Sequence, residues 1–209
     1  MQETRVVRNA KNMSTRTLIK NPVRWEQLLR KKPESFWWKR GKKAVISLWK
    51  EMAGKVPAYK LMGASQHPLK ETVSATMSNF LRLAPVLTKE NYLRRFSLDA
   101  LCWNGSMTAE PTIIAATSGS SGKPFYFPRT HEQDLQYAAI AEMYLHSNFS
   151  IHKKSTLYIV GWGMGVWIGG VFSYSALRIL AERGSYRLSI ITPGTSNQEI
   201  LKAVVGLGG

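Results

Sequence analysis

The segment TSGSSGKP, from Thr117 to Pro124, constrains the fold most because it separates two short runs of strand-forming residues. The run before it, Thr112–Ala116, is apolar, and the run after it, Phe125–Phe127, is aromatic. Two glycines let the backbone between these runs turn tightly. The pattern therefore predicts two neighbouring strands joined by a serine- and glycine-rich loop.

The same loop concentrates groups that bind phosphate. Hydroxyls, backbone N–H groups and one lysine form the donor set of an anion-binding concavity. The loop is not a Walker A motif, because only two residues separate Gly119 from Gly122 and a proline follows Lys123. A flexible Ser/Gly linker is the alternative interpretation. The predicted polyphosphate-binding residues are Thr117, Ser118, Gly119, Ser120, Ser121, Gly122 and Lys123.

The segment matches, at every defined position, the phosphate loop (S/T)SG(S/T)(S/T)GxP of the adenylate-forming enzymes, and the chain resembles that superfamily. Further segments narrow the resemblance to the branch of phenylacetate-CoA ligase and its capsule-biosynthesis relatives. They are KVPAYK (Lys55–Lys60), APVLTKENYL (Ala84–Leu93), LCWNG (Leu101–Gly105) and ITPG (Ile191–Gly194). The resemblance begins near Phe36 and implies an α/β fold, the N-terminal part of the superfamily's large domain.

The resemblance also implies a reaction, the ATP-dependent joining of a carboxylic acid to a thiol. The carboxylate attacks the α-phosphate of ATP, giving an acyl-adenylate and pyrophosphate, and coenzyme A then accepts the acyl group. Mg²⁺ bridging the phosphates is the implied cofactor. The family's magnesium-binding Glu and its late catalytic Lys have no counterpart before Gly209. No catalytic residue is therefore assigned, and we expect an inactive N-terminal fragment.

Positive charge marks the N-terminal part of the chain. The net charge is +16, and residues 1–60 contain 16 Lys or Arg against 4 acidic residues, a net +12. We divide the chain into a helical, basic N-terminal extension, residues 1–35, and a partial adenylating domain, residues 36–209. Apolar spacing predicts an amphipathic helix from Phe36 to Met52. A solvated basic surface, contact with nucleic acid or an anionic membrane, and charge that a missing C-terminal half would balance are three explanations of the charge.

The stretch Leu157–Leu177 contains 21 residues without a charge and is long enough to span a membrane. Five glycines in it disfavour a continuous helix, so we expect a strand, a glycine-rich turn and a buried helix from about Gly170 to Arg183. In the family resembled, this stretch helps to wall the carboxylate substrate. The resemblance therefore implies acyl-pocket candidates, with core packing as the alternative role: Trp162, Met164, Trp167 and Gly169.

Strand-like and helix-like segments alternate after the loop. The capping-box sequence THEQ at Thr130 predicts a helix from about His131 to Leu145, with Glu142 on its wet side. The other predicted elements are strands at Thr156–Val160 and Arg187–Thr192 and a helix opening near Ser196. This alternation predicts a parallel α/β sheet. The TPG turn at Thr192–Gly194 would then lie at the C-terminal end of a strand, where ligands commonly bind.

Other features restrict the class of protein. Cys102 is the one cysteine, which excludes an internal disulfide, and the four histidines are scattered, so no metal site is predicted. The N-terminus lacks the apolar core of a signal peptide, and we expect a cytoplasmic location. The expected partners are a nucleotide and a small carboxylic acid. Two other hypotheses remain, a basic nucleic-acid-binding protein and a membrane-associated interaction protein built on Leu157–Leu177.

Overall fold

A computed structural model describes residues 19–66, 76–107, 112–117 and 123–208. This part of the chain is mixed α/β and mostly helical, with two small two-stranded sheets. The chain divides into two compact units, Met1–Lys31 with Thr112–Gly209, and Lys32–Pro111. No sequence signal had indicated the break after Pro111.

The elements follow one another in a simple order. The helices are α1 Pro22–Lys31, α2 Glu34–Lys55, α3 Pro57–Gln66, α4 Met77–Leu83, α5 Leu98–Leu101, α6 His131–Phe149, α7 Ile168–Glu182 and α8 Asn197–Leu207. The strands are β1 Thr112–Ala116, β2 Tyr126–Thr130, β3 Thr156–Ile159 and β4 Leu188–Ile191. A π-helical turn, Lys89–Leu93, and a 3₁₀ turn, Trp103–Gly105, lie between α4 and β1.

The unit Lys32–Pro111 is helical, and its core forms where the C-terminal half of α2 packs against α3. The predicted helix Phe36–Met52 lies within α2 and is confirmed. The Val56 N–H donates to the Met52 carbonyl at the end of α2, and a proline, suited to a first helical position, then opens α3. The buried core residues are Trp49, Val56, Ala58, Tyr59, Met62 and Tyr92.

The second unit contains both sheets and confirms the predicted strand pairings. Strands β1 and β2 are antiparallel, with Thr112 opposite Thr130 and Ala116 opposite Tyr126. Strands β3 and β4 are parallel and are connected through α7, as the alternating pattern predicted. Helices α6 and α7 pack on each other, and α7 also packs on β4. Its buried residues include Leu145, Ile151, Val160, Leu177 and Leu180.

The uncharged stretch Leu157–Leu177 folds as a strand, a turn and the first part of α7. The strand–turn–helix prediction is therefore confirmed, and a single span across a membrane is wrong for this stretch. Within the described ranges, no helix combines the length and the apolar character that crossing a membrane requires.

Helix α6 begins as predicted, but Glu142 on this helix is buried where solvent exposure was expected. The Thr130 N–H donates to Gln133 Oε1 at 2.8 Å, which confirms the capping box. Glu142, in contrast, is only 8 % exposed. It accepts hydrogen bonds from the Tyr186 hydroxyl at 2.7 Å and from Arg183 Nη1 at 2.9 Å. These partners follow more than 40 residues later in the chain, so the helical period of α6 could not reveal them.

A buried ion pair joins β2 to α6. Arg129 Nε donates to Asp134 Oδ1 at 2.6 Å, and both side chains are at least nine-tenths buried. The guanidinium carbon also lies 4.2 Å from the centre of the Phe172 ring in α7. Arg129 Nη1 and Nη2 are buried and donate to no partner within the described part of the chain. Arg129, in β2, therefore contacts two helices of this unit, α6 and α7.

Replacing Arg129 tests the importance of this pair. The Arg129→Met variant should lose about 3–5 kcal/mol of unfolding free energy, because Asp134 would stay buried without its cation. Adding Asp134→Leu should restore most of the loss. The control Arg178→Met, which breaks an exposed pair with Glu182, should cost less than about 1 kcal/mol in the same urea titrations. Equal losses in Arg129→Met and Arg178→Met would contradict the assignment.

Helix α1 is held against α6 by polar contacts. Glu26 Oε2 lies 3.1 Å from His146 Nδ1, and Arg30 Nη2 donates to Ser147 Oγ at 2.5 Å. The His146 ring stacks on His152 with 4.0 Å between ring centres. Although burial by itself raises the pKa of Glu26, hydrogen bonds from Ser147, His146 and Arg30 together lower this pKa below 4.5.

This lowered pKa predicts a loss of stability in acid. Glu26 stabilises the folded chain above about pH 4.5, and this contribution disappears as the pH falls through the lower folded-state pKa. In Glu26→Gln the contribution is absent at every pH. The difference in unfolding free energy between wild type and variant should therefore be largest near neutral pH and shrink below about pH 4.5. A difference that stays constant down to about pH 3 would contradict this role.

Candidate functional site

Thr117 and Phe125, which adjoin β1 and β2, are hydrogen-bonded to each other at the base of the serine- and glycine-rich loop. The Thr117 N–H donates to the Phe125 carbonyl at 3.0 Å, and the Phe125 N–H donates to Thr117 Oγ1 at 3.0 Å. Thr117 therefore belongs to the hairpin, and its hydroxyl oxygen already accepts one hydrogen bond. The predicted phosphate-binding residues Ser118 to Gly122 lie outside the described residues. Lys123, at the other end of the loop, is exposed.

The entry to this loop lies beside the glycine-rich segment that precedes α7. The Ala116 N–H donates to the Val166 carbonyl at 2.7 Å, and Ala116 forms an isolated parallel bridge with Trp167. These contacts bring the start of the predicted phosphate loop next to the predicted acyl-pocket segment. The sequence had suggested each segment separately, and the structure places them side by side.

The four acyl-pocket candidates have different environments. Trp162 is 63 % exposed and Trp167 is 39 % exposed, so both indole rings lie at the surface. Met164 is partly buried and packs against the apolar core of this unit. Gly169 leaves room for Trp162, whose ring atoms would lie 3.9 Å from a Cβ at that position. The structure thus groups the two indoles and Gly169 at the surface and assigns Met164 to the core.

The glycine-rich segment that precedes α7 also lies close to the carboxyl ends of the two parallel strands. A Cβ on Gly161, just after β3, would lie 3.3 Å from Ile200 Cδ1 and 3.9 Å from the Gly194 carbonyl oxygen. Gly194 has a φ of 67°, a left-handed conformation that glycine adopts without strain. The TPG turn, the glycine-rich segment and the loop entry therefore converge at one edge of the parallel sheet. Ligands of α/β proteins commonly bind at such an edge.

An open cavity of about 450 Å³ lies next to this edge, between the end of β4 and helix α8. Its polar groups include Thr192, Glu199 and Lys202, and the last two form an ion pair at 2.9 Å. The other lining residues are Ile191, Pro193, Ala203 and Leu207. The cavity can accept a mixed polar and apolar group, although the four acyl-pocket candidates do not line it.

A second cavity of about 250 Å³, between α6 and α7, was not predicted. It is mostly apolar and is lined by three tyrosines, Tyr137, Tyr144 and Tyr158. Burial, and then the neighbouring Tyr137 and Tyr144, raise the pKa of the Tyr158 hydroxyl, which therefore stays protonated at neutral pH. The spacing of Tyr137, Ile140 and Tyr144 on one face of α6 was a signal that could have indicated this groove.

Among the described residues, Lys123 is the charged group that the predicted loop contributes. No group of three His, Cys, Asp or Glu side chains within these residues is arranged to hold a metal ion. Backbone N–H groups, hydroxyls and Lys123 are suited to binding an anion that brings its own counter-ion.

Comparisons with protein-family models and with curated proteins gave no match. The functional interpretation therefore depends on the loop sequence and on the site geometry.

Two adjacent glycines of this site provide a matched pair of substitutions. A Cβ on Gly170 would overlap the Gly163 carbonyl oxygen and lie 2.8 Å from Met164 Sδ. Gly170→Ala should therefore lower the unfolding free energy by about 1–3 kcal/mol. Gly169→Ala meets nothing closer than 3.9 Å and should change it by less than about 0.5 kcal/mol. Thermal unfolding of both variants checks this difference, and equal effects would contradict the packing described.

Proposed function

We propose that this chain binds the triphosphate of MgATP as part of an adenylate-forming carboxylate ligase. The proposal is supported above all by the loop Thr117–Pro124, whose sequence fits the phosphate loop of those enzymes and whose flanks form a β-hairpin. The loop end of this hairpin is hydrogen-bonded to the segment that we propose contacts the carboxylic acid. We also propose that the α/β unit belongs to the large, adenylating domain of such an enzyme.

In the proposed reaction, a carboxylate oxygen forms a bond to the α-phosphorus of ATP. The bond from that phosphorus to its bridging oxygen breaks, and pyrophosphate leaves with the electron pair. The thiolate of coenzyme A then attacks the acyl carbonyl carbon and AMP leaves, which gives the thioester. Negative charge grows on the departing pyrophosphate, and fixed donors aimed at this charge favour the step.

Residues of the loop have distinct roles in this proposal. Ser118, Ser120 and Ser121 would donate from hydroxyls, and the two glycines would present backbone N–H groups to the β- and γ-phosphates. Lys123 would neutralise part of their charge as a flexible point cation. Mg²⁺ would be carried mainly by phosphate oxygens, as it commonly is in nucleotide sites. Trp162, Trp167 and Gly169, which lie together beside the loop entry, would contact the acyl group.

Nucleotide titrations test the proposal directly. In the presence of Mg²⁺, isothermal titration calorimetry should show tighter binding of ATP than of AMP, because AMP lacks the β- and γ-phosphates. The Lys123→Ala variant should bind ATP about 10- to 100-fold more weakly, the loss expected for one charge-assisted contact. Its affinity for AMP should change little.

The matched control for this experiment is Lys153→Ala. Lys153 is another exposed lysine of the same unit, and its loss changes the net charge by the same amount. This control should bind ATP as the wild type does. Equal affinities for AMP and ATP, or an equal effect of the two lysine substitutions, would exclude specific binding of the triphosphate by the loop.

A further inference from the structure

The first two-thirds of α2, Glu34–Leu48, is more exposed than the rest of the helix. The helix has 22 residues, and Trp49 is the one buried residue among them. Near the start of the helix, Trp38 is 62 % exposed, and Leu48, one residue before Trp49, is 51 % exposed. The core of this unit therefore engages the end of α2 and leaves Glu34–Leu48 largely at the surface.

Three of the six Lys and Arg residues of α2 lie on one side of the helix. Lys39, Lys43 and Lys50 are separated by four and seven residues, which places them within about 40° of one another around the axis. They are exposed, and none forms an ion pair within the described part of the chain. The two carboxylates of α2 are already engaged, since Glu34 accepts from Trp38 Nε1 at 2.8 Å and Glu51 pairs with Lys55 at 3.3 Å.

The opposite side of the same segment is mostly apolar and carries one carboxylate, that of Glu34. Trp38, Ala44 and Leu48 are exposed there. Six Lys or Arg against two Glu give α2 a net charge of +4. Lysine on one side and tryptophan and leucine on the other are the residue types that helices lying in a membrane interface use. Lysine stems can reach the headgroup layer while the apolar side chains enter the acyl boundary.

We propose that the exposed part of α2, Glu34–Leu48, binds the surface of an anionic phospholipid membrane. Charge complementarity accounts for the row of unpaired lysines, each of which is attracted to acidic headgroups. Leu48 distinguishes this partner from a nucleic acid, because a phosphate backbone would leave that side chain in water. This inference goes beyond nucleotide binding and does not depend on it.

Vesicle co-sedimentation tests the proposal with the full chain. The protein should bind vesicles of phosphatidylcholine with phosphatidylserine and should not bind vesicles of phosphatidylcholine alone. The double variant Lys39→Gln/Lys43→Gln should bind the acidic vesicles about 30-fold more weakly, the change expected for two interfacial lysines. The charge-matched control Lys153→Gln/Lys154→Gln, in exposed positions of the other unit, should bind as the wild type does.

A third variant separates a lipid surface from other acidic partners. Leu48→Ser keeps every charge and should still weaken binding to the acidic vesicles several-fold, because an apolar group no longer enters the bilayer. Circular dichroism should show unchanged helix content in all variants, since these side chains are exposed. Wild-type-like vesicle binding by Leu48→Ser or by Lys39→Gln/Lys43→Gln would overturn the proposal. Binding to duplex DNA in place of acidic vesicles would also overturn it.

Discussion

The hydrogen bond from the Ala116 N–H to the Val166 carbonyl is the contact on which the candidate site depends. It joins a hairpin to a segment that follows the parallel strand β3, although fifty residues separate its two ends. Without it, the serine- and glycine-rich loop and the two surface indoles would be unrelated features of one chain. With it, the loop entry, the glycine-rich segment and the TPG turn share one edge of the sheet.

Small side chains make this arrangement possible. Gly161 lets the end of β3 approach Ile200 and the TPG turn, and Gly170 lets α7 begin against the Gly163 carbonyl. Ala115 and Ala116 are buried at the end of β1, where the strand meets its neighbours. Backbone groups can therefore approach closely, and the large Trp162 and Trp167 rings are displaced towards the surface.

Much of the fold could be predicted because its signals are local. The hairpin around the loop, the capping box of α6 and the order β3, α7, β4, α8 all follow from patterns within a few neighbouring residues. The burial of Glu142 could not be predicted, because its partners Arg183 and Tyr186 belong to a later part of the chain. The contact of Arg129 with Phe172, and the division after Pro111, also depend on long-range packing that no local pattern encodes.

The candidate site was predictable in its parts and not in its assembly. Residue types identified the anion-binding loop and the acyl-pocket segment, but the sequence did not indicate that Ala116 would contact Val166. It also did not separate Met164, which packs in the core, from Trp162, which is exposed. The tyrosine groove between α6 and α7 was missed because its lining combines two helices and a strand.

The parallel pair β3 and β4 affects how copies of this chain can associate. Within the described residues each of these strands pairs along one side alone, so each keeps a row of backbone donors and acceptors without a strand partner. Such rows can template the addition of another strand. The open sides of β3 and β4 are therefore places where a strand of another copy can add to the sheet.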